Sequence, residues 1–396
     1  MRWGSTISNE PSLDDAVAEC AAAVLAELEG HSPDLVFVFP TAHHAGEYDG
    51  VPDVVRRHLG DSPLLGCSGG GVIGAGREVE DSPGFAMSAA VLPDVGLVLF
   101  HLESDALPDA DSAPEPWREL VGSSSEDEPD FILLADPFSF ASDRLISGLD
   151  YAFPRSAKIG GLASVGHIPG GNALYVRDEV HRSGAVGVGL TGAVTIDTVV
   201  AQGCRPIGEP IRVTSCAEKW LMKLDGRSPV QTLAGIIGGL DEGDQKLARH
   251  SLFLGIAMDR LNESPAMGNF LIRNIVGVDQ SRGYLAIGEL LSEGQIVQFH
   301  LRDAQTSTED LDALLSRYSV EHPIYEETGA LLFSCLGRGV NLFGRADHDT
   351  DMFREKVSGM PLTGFFCNGE IGPVGGTTFL HGYTSSFGIF RTRYPD

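Results

Sequence analysis

Three times along the chain, an apolar strand followed by a helix-like stretch leads to a second apolar strand that closes on one frame. The frame is Gly, four residues, Gly, one residue, Ile, and it is met at Gly66-Gly71-Ile73, Gly161-Gly166-Ile168 and Gly364-Gly369-Ile371. The segments are DLVFVFPT to PLLGCSGGGVIG, DFILLADPFS to KIGGLASVGHI, and GALLFSCLGRG to PLTGFFCNGEIG. Glycine at matched places means that the backbone there turns tightly or is approached closely. Strands that are apolar without alternation suit burial on both faces, as in parallel pairs crossed over by helices. The fold class expected is therefore mixed α/β, with β-sheets covered by packed helices.

A second pattern suggests a tandem duplication. Residues 284–302 lie on 85–103 without a gap, so that Phe299-His300-Leu301 falls on Phe100-His101-Leu102. Alternating strands matched in this way keep the same side chains on the same face. The expectation is two tandem domains, 1–205 and 206–396, with strand 284–291 in the place of strand 85–92. FAMSAAVL (85–92) and GLVLFHLE (96–103) read as a hairpin turning at Pro93-Asp94. AEKWLMKL and SPVQTLAGIIGGL read as helices, and TSTEDLDALLSRYSV as a helix opened by a Thr306/Glu309 capping box.

Length and charge narrow the function. At 396 residues the chain is long enough for more than one core. A formal charge of −27 repels phosphate backbones and anionic surfaces, which argues against nucleic acid and membrane partners. The acidic run Ser123–Asp130 reads as a solvated linker. There is no signal-like start and no apolar run of ~18 residues. The six cysteines have no CxxC or metal-finger spacing, so they read as reduced thiols in a cytoplasmic protein that needs no metal or other cofactor.

Catalytic motifs fare poorly on context. Gly66-Cys67-Ser68-Gly69-Gly70 matches a nucleophile elbow and Gly69-Gly71-Gly74 a dinucleotide loop, but both need a helix directly after the strand. The next stretch of chain, VIGAGREVEDSPGFAM, has no helical stripe. Cys335 and Cys367 end buried strands and could serve acyl or amide transfer only with a base, for which His381 is the sole nearby candidate. Adjacent His43 and His44 point to opposite sides if extended, and His101 and His300 sit among strand residues, so a structural reading is favoured over metal binding.

Arg338, Asn368 and Glu370 make the better constellation. An Arg fork matches a carboxylate, a Glu accepts from an amine, and neighbouring glycines admit a ligand to the backbone. The competing reading is an internal Arg338–Glu370 ion pair bracing two loops.

These motifs carry a resemblance. GALLFSCLGRG, PLTGFFCNGEIGPVGG and FLHGYT, with LIRNIVGVDQSRGYLAIGE and EGQIVQFHLRDA before them, resemble the C-terminal half of the FIST proteins. DLVFVF, PLLGCSGGGVIG and KIGGLAS resemble the FIST N-terminal domain, so that essentially the whole chain is covered. The resemblance implies a non-catalytic sensory module that binds a small polar metabolite such as an amino acid. It places Arg338, Asn368, Glu370 and His381 in the ligand-facing part, and Cys335, read as an inert or ligand-contacting thiol, joins them as a candidate binding residue. No F-box, kinase, receiver or methyl-accepting segment is recognised in the sequence, so the resemblance implies output through a signalling partner protein or an oligomer, or else a protein that only binds its ligand.

Overall fold

The computed structural model describes every residue except 125–126, 260–261, 263–264, 323–327, 358 and 394–396. Ser125 and Glu126 of the acidic run therefore lie outside the described residues. The chain divides into two compact units. The first holds Met1–Val200, Leu314–Leu380 and Thr384–Asp396, the second Ala201–Ala313 and His381–Tyr383. The division read from sequence, 1–205 and 206–396, is linear, whereas the compact units are not.

The first unit is a threefold repeat. Repeat one comprises β1 (Arg2–Ser8), α1 (Leu13–Glu27), β2 (Leu35–Pro40), α2 (Val51–Leu59), β3 (Leu64–Cys67), the hairpin β4 (Gly71–Gly74) and β5 (Arg77–Glu80), and β6 (Phe85–Val91). Repeat two runs in the same order through β7 (Val95–Leu102), α3 (Pro114–Leu120), β8 (Asp130–Ala135) and α4 (Ser142–Ala152). It continues with β9 (Lys158–Leu162), the hairpin β10 (Leu174–Val176) and β11 (Glu179–His181), and β12 (Ala185–Gly192).

Repeat three begins with β13 (Val194–Ala201) and is then interrupted. Into it are inserted β14 (Cys204–Ala217), β15 (Trp220–Leu224), α5 (Pro229–Gly238), α6 (Glu242–Leu247), β16 (Leu252–Ala257), β17 (Phe270–Asp279), β18 (Tyr284–Ile287) and β19 (Ile296–Arg302). It resumes with α7 (Ala304–Glu321), β20 (Gly329–Cys335), α8 (Val340–Phe343), α9 (His348–Lys356), β21 (Leu362–Cys367), the hairpin β22 (Glu370–Val374) and β23 (Thr377–His381), and β24 (Ser385–Thr392).

Each repeat builds most of one six-stranded sheet and donates its hairpin to another. The sheet orders are β1-β6-β2-β3-β10-β11, β7-β12-β8-β9-β22-β23 and β13-β24-β20-β21-β4-β5. Repeat one gives β4–β5 to the third sheet, the second repeat gives β10–β11 to the first, and the third gives β22–β23 to the second. The exchange is cyclic, and it explains the glycine frame. Gly66, Gly160 and Gly364 stand opposite Val38, Leu133 and Leu332 in the three parallel pairs. A Cβ at these glycines would lie 2.1, 1.8 and 1.8 Å from the facing carbonyl oxygen, so no other residue fits without moving the strands. On their other side they pair with Tyr175, Ile371 and Ile73 of the donated hairpins.

The frame thus holds in the first and third repeats and is displaced in the second. There the matching glycine is Gly160 rather than Gly161, and Ile168, 69% exposed, sits on a longer loop before β10. β6 and β7 belong to different sheets, so Pro93-Asp94 passes the chain from one sheet to the next instead of turning a hairpin.

The insertion is a closed barrel of order β14-β15-β18-β17-β16-β19, with its own core around Leu221, Leu254, Leu285, Val297 and Phe299. β18 is a barrel strand, whereas β6 is a sheet strand, so the gapless superposition of 284–302 on 85–103 is not a structural duplication. The expectation of mixed α/β layers in a two-part tandem chain holds; the repetition inside it is threefold. AEKWLMKL forms a turn and β15, not a helix, while α5 opens with Ser228 accepting from the Gln231 N–H as its cap. α7 starts earlier than Thr306, and Asp303 accepts the Thr306 N–H at 2.8 Å as the capping side chain. No disulfide is formed among the described residues, and no helix among them is long and apolar enough to cross a membrane.

Candidate functional site

Arg338 lies just past β20, in the loop that its own N–H closes on the Cys335 carbonyl at 2.8 Å. Its side chain is wholly buried, and its fork grips Asp349, in the first turn of α9, with Nε and Nη2 each 2.8 Å from a carboxylate oxygen. The same carboxylate accepts from Ser385 Oγ at 2.6 Å, Ser334 Oγ at 3.2 Å and His348 Nδ1 at 2.8 Å. Phe343 completes the cluster, its ring 5.2 Å from the guanidinium and stacked at 3.4 Å on the His348 ring. Burial alone would raise the Asp349 carboxyl, but the Arg338 charge and the hydrogen bonds from His348, Arg338 and Ser385 hold it well below the usual carboxylate range.

Glu78 of β5 joins the cluster from the other side. Its Oε1 accepts the Thr350 N–H at 2.9 Å, and its own N–H donates to Asp347 Oδ1 at 2.6 Å. Burial first, then the negative charges of Asp349, Asp347 and Glu80, push its carboxyl up to about 8 despite the Thr350 bond. At neutral pH Glu78 is therefore mainly an uncharged acid. Its Oε2 and Arg338 Nη1 are buried without a hydrogen-bond partner among the described residues.

The structure brings together some of the residues singled out in the sequence and separates others. Cys335 and Cys367 are register partners at the ends of β20 and β21. Asn368 comes next in the chain, with an exposed side chain and its N–H donating to the Leu162 carbonyl at 3.0 Å. Glu370 opens β22, buried, and accepts the Thr384 N–H at 3.0 Å and hydroxyl at 2.7 Å. The Arg338–Glu370 pair of the competing reading is not formed, because the Arg fork is filled by Asp349 and Glu370 accepts from Thr384. His381 ends β23, buried, within the second compact unit. His43 is exposed while His44 is buried beside the Phe85 ring, His101 is stacked on His181 at 3.6 Å, and His300 belongs to the barrel. No group of three or more His, Cys, Asp or Glu among the described residues is placed to hold a metal ion.

The order of groups around Asp349 decides its chemistry. A nucleophilic serine needs an imidazole beside its hydroxyl and a carboxylate behind the imidazole. Here the carboxylate lies between Ser334 and His348 and is too acidic to take a proton. The Cys67 and Cys367 thiols are pushed well above their ordinary value, burial being the main cause for each, so neither is poised as a thiolate. After Cys67 the chain enters β4, a strand, so the helix that an elbow or a dinucleotide loop requires is absent there.

Gly70, Ser164 and Asn368, each four residues past the frame glycine, meet where the three sheets exchange hairpins. Ser164 N–H donates to the Ser68 carbonyl at 3.2 Å and Asn368 N–H to Leu162 at 3.0 Å. The third link is made by a side chain: the Ser164 hydroxyl accepts from the Gly70 N–H at 2.8 Å and donates to the Phe366 carbonyl. This junction is tied by hydrogen bonds and leaves Asn368 in a structural role at its backbone.

Two cavities occupy equivalent places in the repeat. One, of about 560 Å³, lies among β1, the β4–β5 turn, α9 and the loop before β21; Trp3, Ser5, Glu27, Thr350, Phe353 and Arg354 line it. The other, of about 450 Å³, lies among β7, the β10–β11 turn, α2 and the loop before β3, with Arg56 and Arg177 in its wall. At the third equivalent place, beside α4 and the β22–β23 hairpin, charged groups are joined to one another. There Lys158 Nζ donates to the Phe153 carbonyl at 2.5 Å and pairs with Asp150 at 3.0 Å, and Asp150 accepts the Thr378 N–H and hydroxyl at 2.7 and 2.8 Å.

Comparison with known proteins finds similarity along nearly the whole chain. Residues 34–227 match the FIST N domain and residues 229–373 the FIST C domain. An uncharacterized protein of Mycobacterium tuberculosis is 36% identical over 98% of this chain and 100% of its own length. An uncharacterized protein of Mycobacterium bovis is 34% identical over 98% of this chain and 99% of its own. Among solved structures, a cyanuric acid hydrolase from A. caulinodans aligns over 99% of this chain and 100% of its own at 10% identity, with a TM-score of 0.33.

Proposed function

The chain belongs to the FIST family, whose domains are generally regarded as small-ligand-binding sensory domains, and from that premise we propose that it is a non-catalytic sensor of a small polar metabolite. The ligand class we favour is the amino acids, bound in the cytoplasm, with occupancy passed to a partner protein.

The observation that carries this reading is the cavity beside α9. Its volume of about 560 Å³ is in the range of small-molecule sites, and its wall combines aromatic surface with hydroxyls and charges of both signs. The charge of −27 supports a small ligand over nucleic acid, and the order Ser334–Asp349–His348 supports binding over hydrolysis. In this reading Arg338 and Glu370 position the loops around them rather than grasp the ligand.

A thermal-shift screen of amino acids and small organic acids tests the proposal. A ligand that binds only the folded chain stabilises it by about 2.7 kcal/mol at a hundredfold excess over its dissociation constant. At least one compound should raise the melting temperature. Failure of every compound would overturn the reading.

A further inference from the structure

We infer that the cavity bounded by β1, the β4–β5 turn and α9 is the ligand site, and that it takes a small zwitterion whose carboxylate meets Arg354 and whose ammonium meets Glu27. The inference rests on the small-ligand reading above and adds where the ligand sits and what chemistry selects it.

Two features mark this cavity; the one beside α2 also carries charges of both signs, with Asp61 and Asp178 beside Arg56 and Arg177. Its wall carries Arg354, whose Nη2 donates to Asp351 on the same helix, and Glu27, whose Oε2 accepts the Ser5 N–H; the remaining donors of the guanidinium and the other carboxylate oxygen are the complements of an α-carboxylate and an α-ammonium. Behind them stand buried polar atoms that the protein does not satisfy. Trp3 and Thr350 are 6% and 1% exposed, and Trp3 Nε1 and Thr350 Oγ1 have no hydrogen-bond partner among the described residues. Buried donors and acceptors are nearly always paired in folded proteins, so orphaned groups on two residues that line one cavity support an occupant that draws on them. Phe353 and the Trp3 ring offer apolar surface for a side chain. At the place beside α4, by contrast, Lys158, Asp150 and Thr378 take one another as partners.

The position also supplies a route for a signal. Thr350 borders the cavity, its N–H holds Glu78, and its neighbour Asp349 holds Arg338. An occupant that draws on Thr350 acts on the first turn of α9, where the buried ion cluster is anchored.

The test is calorimetric titration of the full chain with each standard amino acid, with small organic acids, and with the N-acetyl and carboxamide derivatives of whichever amino acid binds. The variants are Glu27→Gln, Arg354→Gln and, in the equivalent cavity, Arg56→Gln. Glu27 and Arg354 are exposed, and glutamine can still accept the Ser5 N–H at position 27, so these variants should fold. A free amino acid should bind; each blocked derivative, and each change at position 27 or 354, should weaken binding roughly tenfold or more, the scale of a lost charge-assisted hydrogen bond. Arg56→Gln should leave it unchanged. Binding that survives both Glu27→Gln and Arg354→Gln overturns this site while leaving a small-ligand sensor intact. Binding only of non-zwitterionic acids overturns the ligand class, and silence across amino acids and organic acids alike overturns the sensor reading itself.

Discussion

The places beside α9 and beside α4 are the same corner of the repeat, yet they treat charge in opposite ways. Beside α4, Lys158 reaches inward to Asp150 and to a carbonyl, and Thr378 of the donated hairpin completes the carboxylate's partners. Beside α9, the inward charges Arg338 and Asp349 are paired and buried, while Arg354, 63% exposed and paired with Asp351, borders the cavity that Glu27 also lines. The backbone supplies a crevice at both places. Whether it becomes a brace or a site depends on whether its charges are buried with their partners or left exposed.

The sharpest way to break the comparison is to unpair the inward charges. Arg338→Met leaves Asp349 buried with only hydroxyl and imidazole partners, and should destabilise by about 3–5 kcal/mol in urea unfolding. Lys158→Met should cost about 3 kcal/mol, somewhat less because Asp150 keeps some exposure. If Lys158→Met were neutral, the α4 place would not be braced as described. Arg354→Gln, at the open place, should change stability by less than about 0.5 kcal/mol, as surface substitutions do.

A third prediction uses pH. The Glu78 carboxyl is raised from 4.5 to about 8, so the folded chain binds a proton that the unfolded chain has lost. Its contribution is full below pH 4.5 and declines as pH rises toward 8, because the folded form must then ionise a buried acid. Glu78→Gln should remove this decline, gaining on the wild type progressively across that window. Parallel stability curves for the two proteins would show that Glu78 ionises normally. The smallest effect concerns the thiols. Cys67 and Cys367 should react with iodoacetamide at neutral pH far more slowly in the folded chain than after denaturation.

What was legible in the sequence was local. The apolar strands, the helix between them and the glycine that lets each parallel pair approach closely are written within short windows. In the middle repeat the longer loop from Ala163 to Ala173 defeats fixed spacing, so the frame falls on Gly161 where the close approach is at Gly160. The third repeat was hidden by the barrel placed between β13 and α7, and the match of 284–302 to 85–103 reflects only that both stretches alternate. Sheet membership was not legible because β6 and β7, adjacent in sequence, find partners in different sheets. The cluster was half legible: Arg338 stood out among glycines, but no spacing singled out Asp349, and Glu78 meets Thr350 from 272 residues away.

A crystal structure of the chain with the amino acid that stabilises it most puts the site itself to the test. We expect density in the cavity beside α9, its carboxylate on Arg354, its ammonium on Glu27, and a polar atom within hydrogen-bond reach of Thr350 Oγ1 or Trp3 Nε1. Density in the cavity beside α2 or inside the barrel, with the α9 cavity unchanged, would contradict the assignment.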